Sequence, residues 1–517
     1  MEEIRNTCLF LVQQYTNIQA DPIILLPPTN VCLWGCKQKI KSRSGEPGSL
    51  SRLYTDHDSS ESCTLNDIDG SQKKCWKFSL LCKRCGSRYS YATYSEPTLK
   101  GPENISHSKR HFFYDTERAY VAVSNEVFWT RRLCRLLTSD IYWKHSSFQG
   151  FAASMAWSYA ISEDYNRKQT AEAFFRFHIE AEIRERRLLK TPFSEHNYDL
   201  LLPSLNEWNR QSLYPHIHTT ECLAKGCRFC TSFDGIWKLT HLTCSFKIIT
   251  KNPAFGDLNF PSDCPEEPLP GLLFCGRHAG VAAENNLPLT RKELKLLTKT
   301  KVNSSSTEVT ALSFSSCNKN RGLRKYRIAR SRGWLFAVSS AGIIRTFRPL
   351  YGSESSSQVF YAMAQYLLLE IGDDEKWTEE ERRKFVVAYD DICHVDGLLQ
   401  ARNDLPFSGS GINLWRNVVK IIDRFHIGNH KKQCQSVYNP SKLLDVHGLN
   451  CQFNTETCEQ VLSKFGKYKQ SAFMMGKQRQ EFFLNRMVKI HNSIVEQSLA
   501  QGREHLHFNG RRRCNNF

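Results

Sequence analysis

The hydrophobic pattern in the second half of the chain switches between strand and helix periods. Short apolar runs over 334–338 and 342–347 predict two strands, and a helical period follows over 356–371. Another buried strand is predicted over 385–389, and it ends abruptly in acidic residues. Strands, then a crossing helix, then a returning strand are the order of an α/β domain with a mixed sheet.

The remainder of the chain shows mainly helical periods. We predict a short helix within residues 1–20, helices across 117–192, an amphipathic helix over 413–422 and a final helix over roughly 478–500. The charged side of the helix over 171–189 is interpreted as a solvated face, with DNA contact as the alternative. The polar segment over 41–72, rich in Ser, Asp and Gly, predicts a flexible loop.

Cysteine usage changes this picture, because 20 cysteines in 517 residues indicate either disulfides or metal sites. The first five residues open with acidic side chains and lack the apolar segment of a signal peptide. No run approaches the roughly 18 apolar residues of a membrane span. We therefore expect a reducing compartment and no membrane, and there clustered cysteines favour Zn²⁺.

The N-terminal cysteines have the spacing of one zinc site. A Cys-x2-Cys pair is followed by glycine, which lets backbone amides turn toward the thiolates, and a Cys-x3-Cys pair precedes it. Four protein ligands leave no open position, so the predicted role is structural. The predicted ligands are Cys32, Cys36, Cys82 and Cys85, with Cys63 and Cys75 as spare candidates.

A second concentration of six thiols falls within residues 222–278 and predicts another zinc module. Its spacing leaves open whether one ion or two are bound. The predicted ligands are Cys222, Cys227, Cys230, Cys244, Cys275 and His278, and Cys264 lies in the same segment.

A third candidate combines His426, His430 and Cys434. On a helix the two histidines would share a face, because they are four residues apart. These residues either hold a further zinc ion or contact DNA phosphate or substrate.

The charge balance indicates a polyanionic partner. Lys and Arg number 70 against 52 Asp and Glu, so the net charge is 70 − 52 = +18, which favours DNA. Residues 317–333 contain no acid and lie near aromatic residues, which suits phosphate contact and base stacking. A nuclear import signal is the competing interpretation, and the two can coexist, so we expect the nucleus. The cations assigned to DNA are Arg321, Arg324, Lys325, Arg327, Arg330 and Arg332.

Three acids stand where metal-dependent enzymes place their ligands. Asp390 ends the predicted strand over 385–389, Asp234 lies in an earlier predicted strand, and Glu459 lies on a later helix. The alternatives are an acidic loop, a hairpin turn at Asp234-Gly235, and compensation of the helix dipole by Glu456 and Glu459. The order of the three acids is that of a ribonuclease H-like core, where three carboxylates bind two divalent ions. Hard oxygen ligands suit Mg²⁺ or Mn²⁺.

Several of these segments resemble the Kyakuja–Dileera–Zisupton (KDZ) transposases. They are Ala341-Gly342-Ile343-Ile344-Arg345, Tyr389-Asp390-Asp391-Ile392-Cys393-His394, Asp423-Arg424-Phe425-His426-x3-His430 and Glu456-Thr457-Cys458-Glu459-Gln460. The region from Leu26-Pro27-Pro28 to Cys85 resembles the CxC5-like cluster associated with that superfamily, and Cys222 to His278 resembles a CxC6-like cluster. The resemblance covers most of residues 20–495.

The resemblance implies a DDE-type transposase that cleaves and transfers DNA strands, with a homo-oligomer on transposon ends as the expected assembly. The implied triad is Asp234, Asp390 and Glu459. Alignment by the Tyr-Asp pair favours Asp390 over Asp391, and the pattern around Cys458 favours Glu459 over Glu456.

Gln460 and Leu462 replace residues that are common in the family, so the alternative is a catalytically inactive, domesticated, zinc-dependent DNA-binding protein. A zinc-dependent scaffold for protein interactions is a third interpretation.

These interpretations divide the chain into five parts. Residues 1–110 form an N-terminal zinc-binding cysteine cluster, and 111–205 form a helical region. Residues 206–290 form a cysteine cluster inserted around the first catalytic strand, and 291–500 form the rest of the ribonuclease H-like core. Residues 501–517 are a basic tail.

Overall fold

The structure is a computed structural model. It describes residues 1–16, 22–35, 52–55, 61–97, 110–113, 118–159, 166–187, 200–251, 259–264, 266–294, 296, 331, 333–351, 356–373, 375–400, 410–441, 453–473 and 475–503. The chain forms two compact units, Met1–Leu202 and Pro203–Phe517. The finer division into five parts stays a prediction.

The first unit combines short strands with a group of helices. The helices are α1 (Glu2–Thr16), α2 (Arg131–Lys144), α3 (Phe148–Tyr159) and α4 (Arg167–Glu185). The strands are β1 (Ile23–Leu25), β2 (Tyr54–Thr55), β3 (Glu61–Asn66), β4 (Gln72–Lys77), β5 (Leu80–Leu81), β6 (Arg88–Tyr89), β7 (Thr93–Ser95), β8 (Arg110–Phe112), β9 (Tyr120–Ala122) and β10 (Val127–Thr130). They form two five-stranded sheets, in the orders β1-β4-β3-β10-β9 and β2-β5-β6-β7-β8.

Two predictions for this unit were partly wrong. The predicted helical stretch begins with strands β9 and β10, because Val-Phe-Trp-Thr consists of β-branched and aromatic residues that favour strands. Thr130 then caps α2, its side chain accepting a hydrogen bond from Leu133 N. The predicted loop over 41–72 contains β3, which pairs with both β4 and β10.

The second unit carries the remaining elements. Its helices are α5 (Leu202–Gln211), α6 (Thr220–Ala224), α7 (Gly276–Glu284), α8 (Ser356–Ile371), α9 (Glu379–Arg383), α10 (Ile392–Gln400), α11 (Ser410–Asn417), α12 (Lys432–Val437), α13 (Thr457–Phe465), α14 (Lys469–Ala472) and α15 (Lys477–Ala500), with 3₁₀ turns at Ile427–Asn429 and Gly466–Tyr468. Its strands are β11 (Cys230–Ile236), β12 (Lys247–Lys251), β13 (Asn259–Asp263), β14 (Trp334–Ser339), β15 (Ile344–Pro349), β16 (Val386–Ala388) and β17 (Val419–Ile421).

A five-stranded mixed sheet forms the centre of this unit, in the order β15-β14-β11-β16-β17. β15 pairs with β14, and β14 with β11, in the antiparallel orientation. β11 pairs with β16, and β16 with β17, in the parallel orientation. The predicted mixed α/β organisation is therefore confirmed. The predicted strand over 385–389 is β16, and the predicted helix over 356–371 is α8.

One face of this sheet packs on α8 and α11. Leu335 and Val387 point from the sheet into a cluster with Met363 and Leu367 of α8 and Trp415 of α11, and all five are buried. Removing this apolar area from water stabilises the layer. The packed strands hold their carboxyl ends in a fixed place as a result.

The helix predicted over 413–422 was wrong in its second half. α11 ends at Asn417, and β17 adds Val419–Ile421 to the edge of the sheet beside β16. The run Val-Val-Lys-Ile-Ile is rich in β-branched residues, which favour a strand over a helix.

The opposite face is covered by α13, while α15 is bonded to the β15 edge. Cys458 N of α13 donates to Ser232 Oγ of β11 at 3.1 Å. Asn492 of α15 exchanges two hydrogen bonds with the backbone of Ile344 in β15, at 2.9 and 2.8 Å. Within the described residues, no helix has both the length and the apolar character needed to cross a bilayer.

Candidate active site and metal centres

Asp390 and Asp423 lie two residues beyond the ends of β16 and β17, and Asp234 lies within β11, the parallel neighbour of β16. In the register of the sheet, Ser232 of β11 stands beside Ala388 of β16, and Ala388 stands beside Ile421 of β17. Neighbouring strands lie about 4.8 Å apart. The residues two positions further along these strands therefore meet at one edge of the sheet, and they are Asp234, Asp390 and Asp423.

The local backbone distinguishes Asp390 from Asp391. Asp390 Oδ1 accepts a hydrogen bond from Asp391 N at 2.7 Å, which fixes its carboxylate at the strand end. Asp391 Oδ1 lies 2.5 Å from His394 Nδ1, so its carboxylate is engaged with α10. Asp234 lies inside β11, paired with Phe336 of β14, and not in a hairpin turn.

Glu459 reaches the same place through α13. Ser232 and Asp234 are two residues apart on β11, so their side chains share one face of the sheet, and the bond from Cys458 N to Ser232 Oγ places α13 on that face. Burial raises the pKa of the Cys458 thiol, and the nearby charges of Asp234 and Glu459 raise it further. Glu456 instead occupies the N-cap position of α13.

The carboxyl groups perturb one another. Burial raises the pKa of Asp390, and the negative charge of Asp391 adds to this effect. Burial also raises the pKa of Glu459; His426 opposes this rise, and the charge of Asp423 adds to it. Such carboxylates carry negative charge that the described side chains compensate only in part, which is the condition for binding a cation.

Sequence reasoning gave no role to Asp423 and left His426 between zinc and phosphate or substrate contact. Asp423 Oδ1 accepts hydrogen bonds from Phe425 N at 2.9 Å and His426 N at 3.0 Å, and Oδ2 accepts from His426 Nδ1 at 2.8 Å. This places His426 Nε2 3.8 Å from Glu459 Oε1. Burial lowers the pKa of His426, but the bond to Asp423 and the surrounding carboxylates outweigh burial and raise it overall.

The N-terminal cluster brings together Cys32, Cys82 and Cys85, with 3.6 Å between the sulfurs of Cys32 and Cys85. Two thiolates on one tetrahedral zinc ion lie about 3.8 Å apart, since each Zn–S bond is about 2.3 Å. Gly86 has φ +71° and donates its N–H to Cys82 O, a turn that a residue with a Cβ rarely makes. Cys36, the predicted fourth ligand, lies outside the described residues.

The two spare cysteines lie elsewhere in the first unit. Cys63 and Cys75 face each other across β3 and β4, where both are buried, and Cys75 Sγ donates to Cys63 O. They pack with apolar residues such as Leu25 and Phe128. None of the cysteines that the structure describes forms a disulfide.

The second predicted module separates into two clusters. The first joins His216, His218, Cys222 and Cys227, whose ligand atoms all lie within 4.8 Å of one another. His218 Nδ1 is 3.5 Å from Cys222 Sγ, close to the separation of about 3.5 Å for a nitrogen and a sulfur on one zinc ion. His216 Nδ1 is held by Glu496 at 2.8 Å, and its buried Nε2 has no hydrogen bond of normal geometry within the described part of the chain.

That arrangement is the one in which a carboxylate orients a metal-binding imidazole. Neither histidine was predicted as a ligand. The His-x-His pattern just before Cys222 is the sequence signal for both histidines, and cysteine spacing alone does not include it.

The second cluster joins Cys244, Cys264, Cys275 and His278. His278 Nδ1 lies 3.5 Å from Cys244 Sγ and 3.3 Å from Cys275 Sγ, and Cys275 N donates to Cys244 Sγ. Cys2His2 and Cys3His are donor sets that suit Zn²⁺, so both clusters can bind zinc.

Cys230, predicted as a ligand of this module, lies outside both clusters. It starts β11 and is buried among Val386, Ala388 and Ile421 in the sheet. Burial raises the pKa of its thiol to about 12, so it remains a protonated core residue.

The structure also separates the members of the third predicted metal site, His426, His430 and Cys434. His426 faces the carboxylates, whereas His430 and Cys434 lie together beside Cys393. His426 and His430 flank a 3₁₀ turn and do not share a helix face. The cations assigned to DNA, Arg321, Arg324, Lys325, Arg327, Arg330 and Arg332, lie outside the described residues.

Comparison with known proteins identifies two segments. Residues 21–159 match the CxC5-like cysteine cluster associated with KDZ transposases, and residues 276–492 match the Kyakuja-Dileera-Zisupton transposase. Residues 160–275 lie between the two matches, so the CxC6-like resemblance there stays a prediction. No curated protein and no solved structure matches the chain. The matched segments occur in the order that the sequence motifs predicted, and the chain belongs to the Kyakuja–Dileera–Zisupton transposase superfamily.

Proposed function

We propose that this protein is a DDE-type DNA transposase in which Asp234, Asp390 and Glu459 hold two divalent cations. The observation that carries the proposal is the sheet register: it pairs Ser232 with Ala388 on adjacent parallel strands, and Asp234 and Asp390 each follow two residues later. The strand order β15-β14-β11-β16-β17, with three antiparallel strands followed by two parallel ones, supports a ribonuclease H-like core.

The donor set fits Mg²⁺ or Mn²⁺. All three side chains are carboxylates, which are the hard oxygen ligands these ions prefer. Two of them, Asp390 and Glu459, have pKa values raised by burial and by neighbouring negative charge, and a bound cation would relieve both effects. Two divalent cations at such a site supply activation of an attacking hydroxyl and stabilisation of the leaving oxygen.

The residues of the chain position this chemistry. The backbone pairing of β11 with β14 and β16 supports a fixed position for Asp234, and the bond from Cys458 N to Ser232 Oγ supports Glu459 of α13 as the third ligand. Asp423 orients His426 toward Glu459. In its protonated form His426 carries a positive charge that balances part of the carboxylate charge, and it can also hold a phosphate oxygen of the substrate.

We propose DNA as the substrate and the basic run over 317–333 as one of its contacts. The net charge of +18 and the absence of acid in this run support a phosphate backbone as partner. The run directly precedes β14, which is hydrogen-bonded to the strand that carries Asp234. The same run would serve nuclear import, so we propose the nucleus as its compartment.

The test uses the full chain, Mn²⁺ and labelled DNA duplexes carrying the ends of the transposon. We expect wild type to nick or join strands, and Asp390→Asn to lower this rate by about a thousandfold or more because a metal ligand is lost. Asp373→Asn is the matched control, since Asp373 is a partly exposed aspartate that pairs with the exposed Lys376. Equal rates for wild type and Asp390→Asn would overturn the proposal.

A second outcome would identify the inactive alternative. DNA binding that weakens steeply with salt, together with no cleavage by wild type, would indicate a protein that binds DNA without cutting it.

A further inference from the structure

A group of metal-binding side chains lies beside the carboxylates without joining them. Cys393 is in the first turn of α10, His430 follows the 3₁₀ turn at Ile427–Asn429, and Cys434 lies in α12. Their ligand atoms all lie within 4.8 Å of one another. The three residues come from two separate segments that follow β16 and β17.

The distances suit one tetrahedral ion. Cys393 Sγ is 3.6 Å from His430 Nδ1, and a sulfur and a nitrogen bound to the same zinc ion lie about 3.5 Å apart. Cys393 and Cys434 are only partly buried and border the apolar cluster under the sheet. Gln435 Nε2 donates to His430 O at 2.6 Å and holds this residue in place.

A fourth position adjoins Cys393. Asp391, Cys393 and His394 form a second group within 4.8 Å that shares the Cys393 thiolate. Asp391 Oδ1 and His394 Nδ1 are 2.5 Å apart, so the two side chains act as one polar unit next to the sulfur. His394 Nδ1 lies 3.9 Å from Cys393 Sγ and would exchange its bond to Asp391 for the ion, with the Asp391 carboxylate as the alternative ligand.

We propose that Cys393, His430 and Cys434 form a zinc site, with the fourth position completed from the Asp391–His394 pair. Two thiolates and one or two imidazoles are soft and borderline ligands that select zinc over Mg²⁺ or Mn²⁺. The site is therefore chemically distinct from the all-carboxylate centre next to it.

This zinc site would tie together the two segments that carry active-site residues. α10 begins two residues after Asp390, and the 3₁₀ turn begins directly after His426. A zinc ion between them would fix the chain just after β16 relative to the chain just after β17. The zinc content stands independently of the proposed function, whereas the positioning role rests on it.

The first test is the zinc content of the purified full chain. We expect Cys434→Ser to lose about one zinc ion per chain relative to wild type. Gln433→Ala is the matched control, because Gln433 is the exposed neighbour of Cys434 on the same helix and should leave the zinc content unchanged. Equal zinc content in wild type and Cys434→Ser would overturn the proposal.

A second measurement needs no variant, in case Cys434→Ser does not fold. Wild type is treated with an alkylating reagent with and without a chelator, and each cysteine is followed by peptide mass spectrometry. Zinc-bound thiolates are shielded from the reagent, so we expect Cys393 and Cys434 to be alkylated faster once the chelator has removed the zinc. Rapid alkylation of both in a protein that retains all its zinc would contradict the site.

The positioning role has its own readout. If the zinc site holds the strand ends, Cys434→Ser should require at least about tenfold more Mn²⁺ for half-maximal DNA cleavage. If Cys434→Ser lost zinc but needed no more Mn²⁺ than wild type, the zinc site would be supported and its positioning role would be wrong. If wild type did not cleave DNA, the proposed function would be wrong, but zinc content and alkylation would still test the zinc site.

Discussion

The strand-end carboxylates and the Cys3His cluster of Cys244, Cys264, Cys275 and His278 are held in place by different means. Asp234 and Asp390 are aligned by the hydrogen bonds of a five-stranded sheet whose face packs on a large apolar cluster. The Cys3His cluster instead sits in a small group of buried residues beside α7 and a two-stranded hairpin.

The difference predicts how each site depends on metal. The sheet would keep its register without a cation, because backbone pairing fixes it, and the crowded carboxylates oppose folding slightly until a cation binds. The Cys3His segment has too small a core to order itself, so zinc binding must supply part of its folding free energy. In the proposed function, the cation at the carboxylates would serve chemistry on a sheet that folds without it, whereas zinc at the Cys3His cluster would stabilise the fold itself.

The largest expected effect comes from removing a ligand of the Cys3His cluster. Cys275→Ser should lose zinc and destabilise the surrounding segment by several kcal/mol, because bound structural zinc contributes folding energy directly. Hydrogen exchange should show α7, Gly276–Glu284, losing protection while the central sheet keeps its own.

Cys134→Ser is the matched control for that experiment. Cys134 is a buried thiol in α2 and belongs to none of the metal clusters among the described residues. It should leave zinc content and α7 unchanged. Asp390→Asn should also leave α7 protected. If α7 exchanged as fast in Asp390→Asn as in Cys275→Ser, the carboxylates and the Cys3His cluster would not differ in how they stabilise the fold.

The next largest effect is expected at Asp423, which follows β17 and holds His426 beside Glu459. Asp423→Asn should lower DNA cleavage by about 10–100-fold, because the amide no longer fixes His426 in the tautomer and direction that face Glu459. The stability of the sheet should change little. Cleavage rates measured across Mn²⁺ concentrations check this, with Asp373→Asn as control, and an unchanged rate would remove Asp423 from the site.

A smaller effect should follow from loosening the helix that carries Glu459. Ser232→Ala removes the acceptor for Cys458 N, and leaving this buried donor unpaired costs about 1–3 kcal/mol. We expect both stability and cleavage rate to fall. Thr231→Val is the matched control, because the hydroxyl of Thr231 bonds Tyr366 on the opposite face of the same strand.

Thr231→Val should lose similar stability with cleavage nearly unchanged. Equal loss of cleavage in both variants would mean that general weakening of β11, and not the position of α13, controls the site. Urea unfolding and cleavage assays on the two proteins distinguish these outcomes.

The strand before Asp390 and the helix that carries Glu459 were predictable from local sequence, because one is a short apolar run and the other has clear apolar spacing. The choice of Asp390 over Asp391 and of Glu459 over Glu456 came from the family resemblance and stays a prediction. The strand before Asp423 was harder to place, because the apolar run after α11 continues the helical spacing although its β-branched residues favour a strand. Pairing with β16, which is a long-range contact, decides for a strand over Val419–Ile421.

The zinc ligands show the same limit. Cys227 and Cys230 have the spacing of a zinc knuckle, yet Cys230 starts β11 and is turned into the sheet. His216, beside Cys222, is held by Glu496 of the last helix, 280 residues further along the chain. Spacing identifies that a cluster exists, but the partners that complete it depend on tertiary packing.

The smallest expected effect concerns a buried lysine on α13 and the pH dependence of stability. Lys464 is buried on this helix, and burial lowers its pKa from 10.5 to about 7, with the charge of Lys467 adding to the effect. Between about pH 7 and 10.5 the unfolded chain therefore binds a proton that the folded chain does not. The free energy of unfolding rises with pH across this window and is lowest below it.

Lys464→Met should remove that dependence, because it keeps an apolar chain of similar length without the titrating amine. We expect the variant to raise the free energy of unfolding by at least about 1 kcal/mol at pH 6.5 and by less near pH 10. Urea unfolding at the two pH values measures this, and Lys467→Met, at an exposed position, is the control. If the free energy of unfolding changed with pH in the same way in wild type and Lys464→Met, the buried amine would not destabilise α13. The electrostatic cost on this face of the sheet would then be confined to the carboxylates near the strand ends.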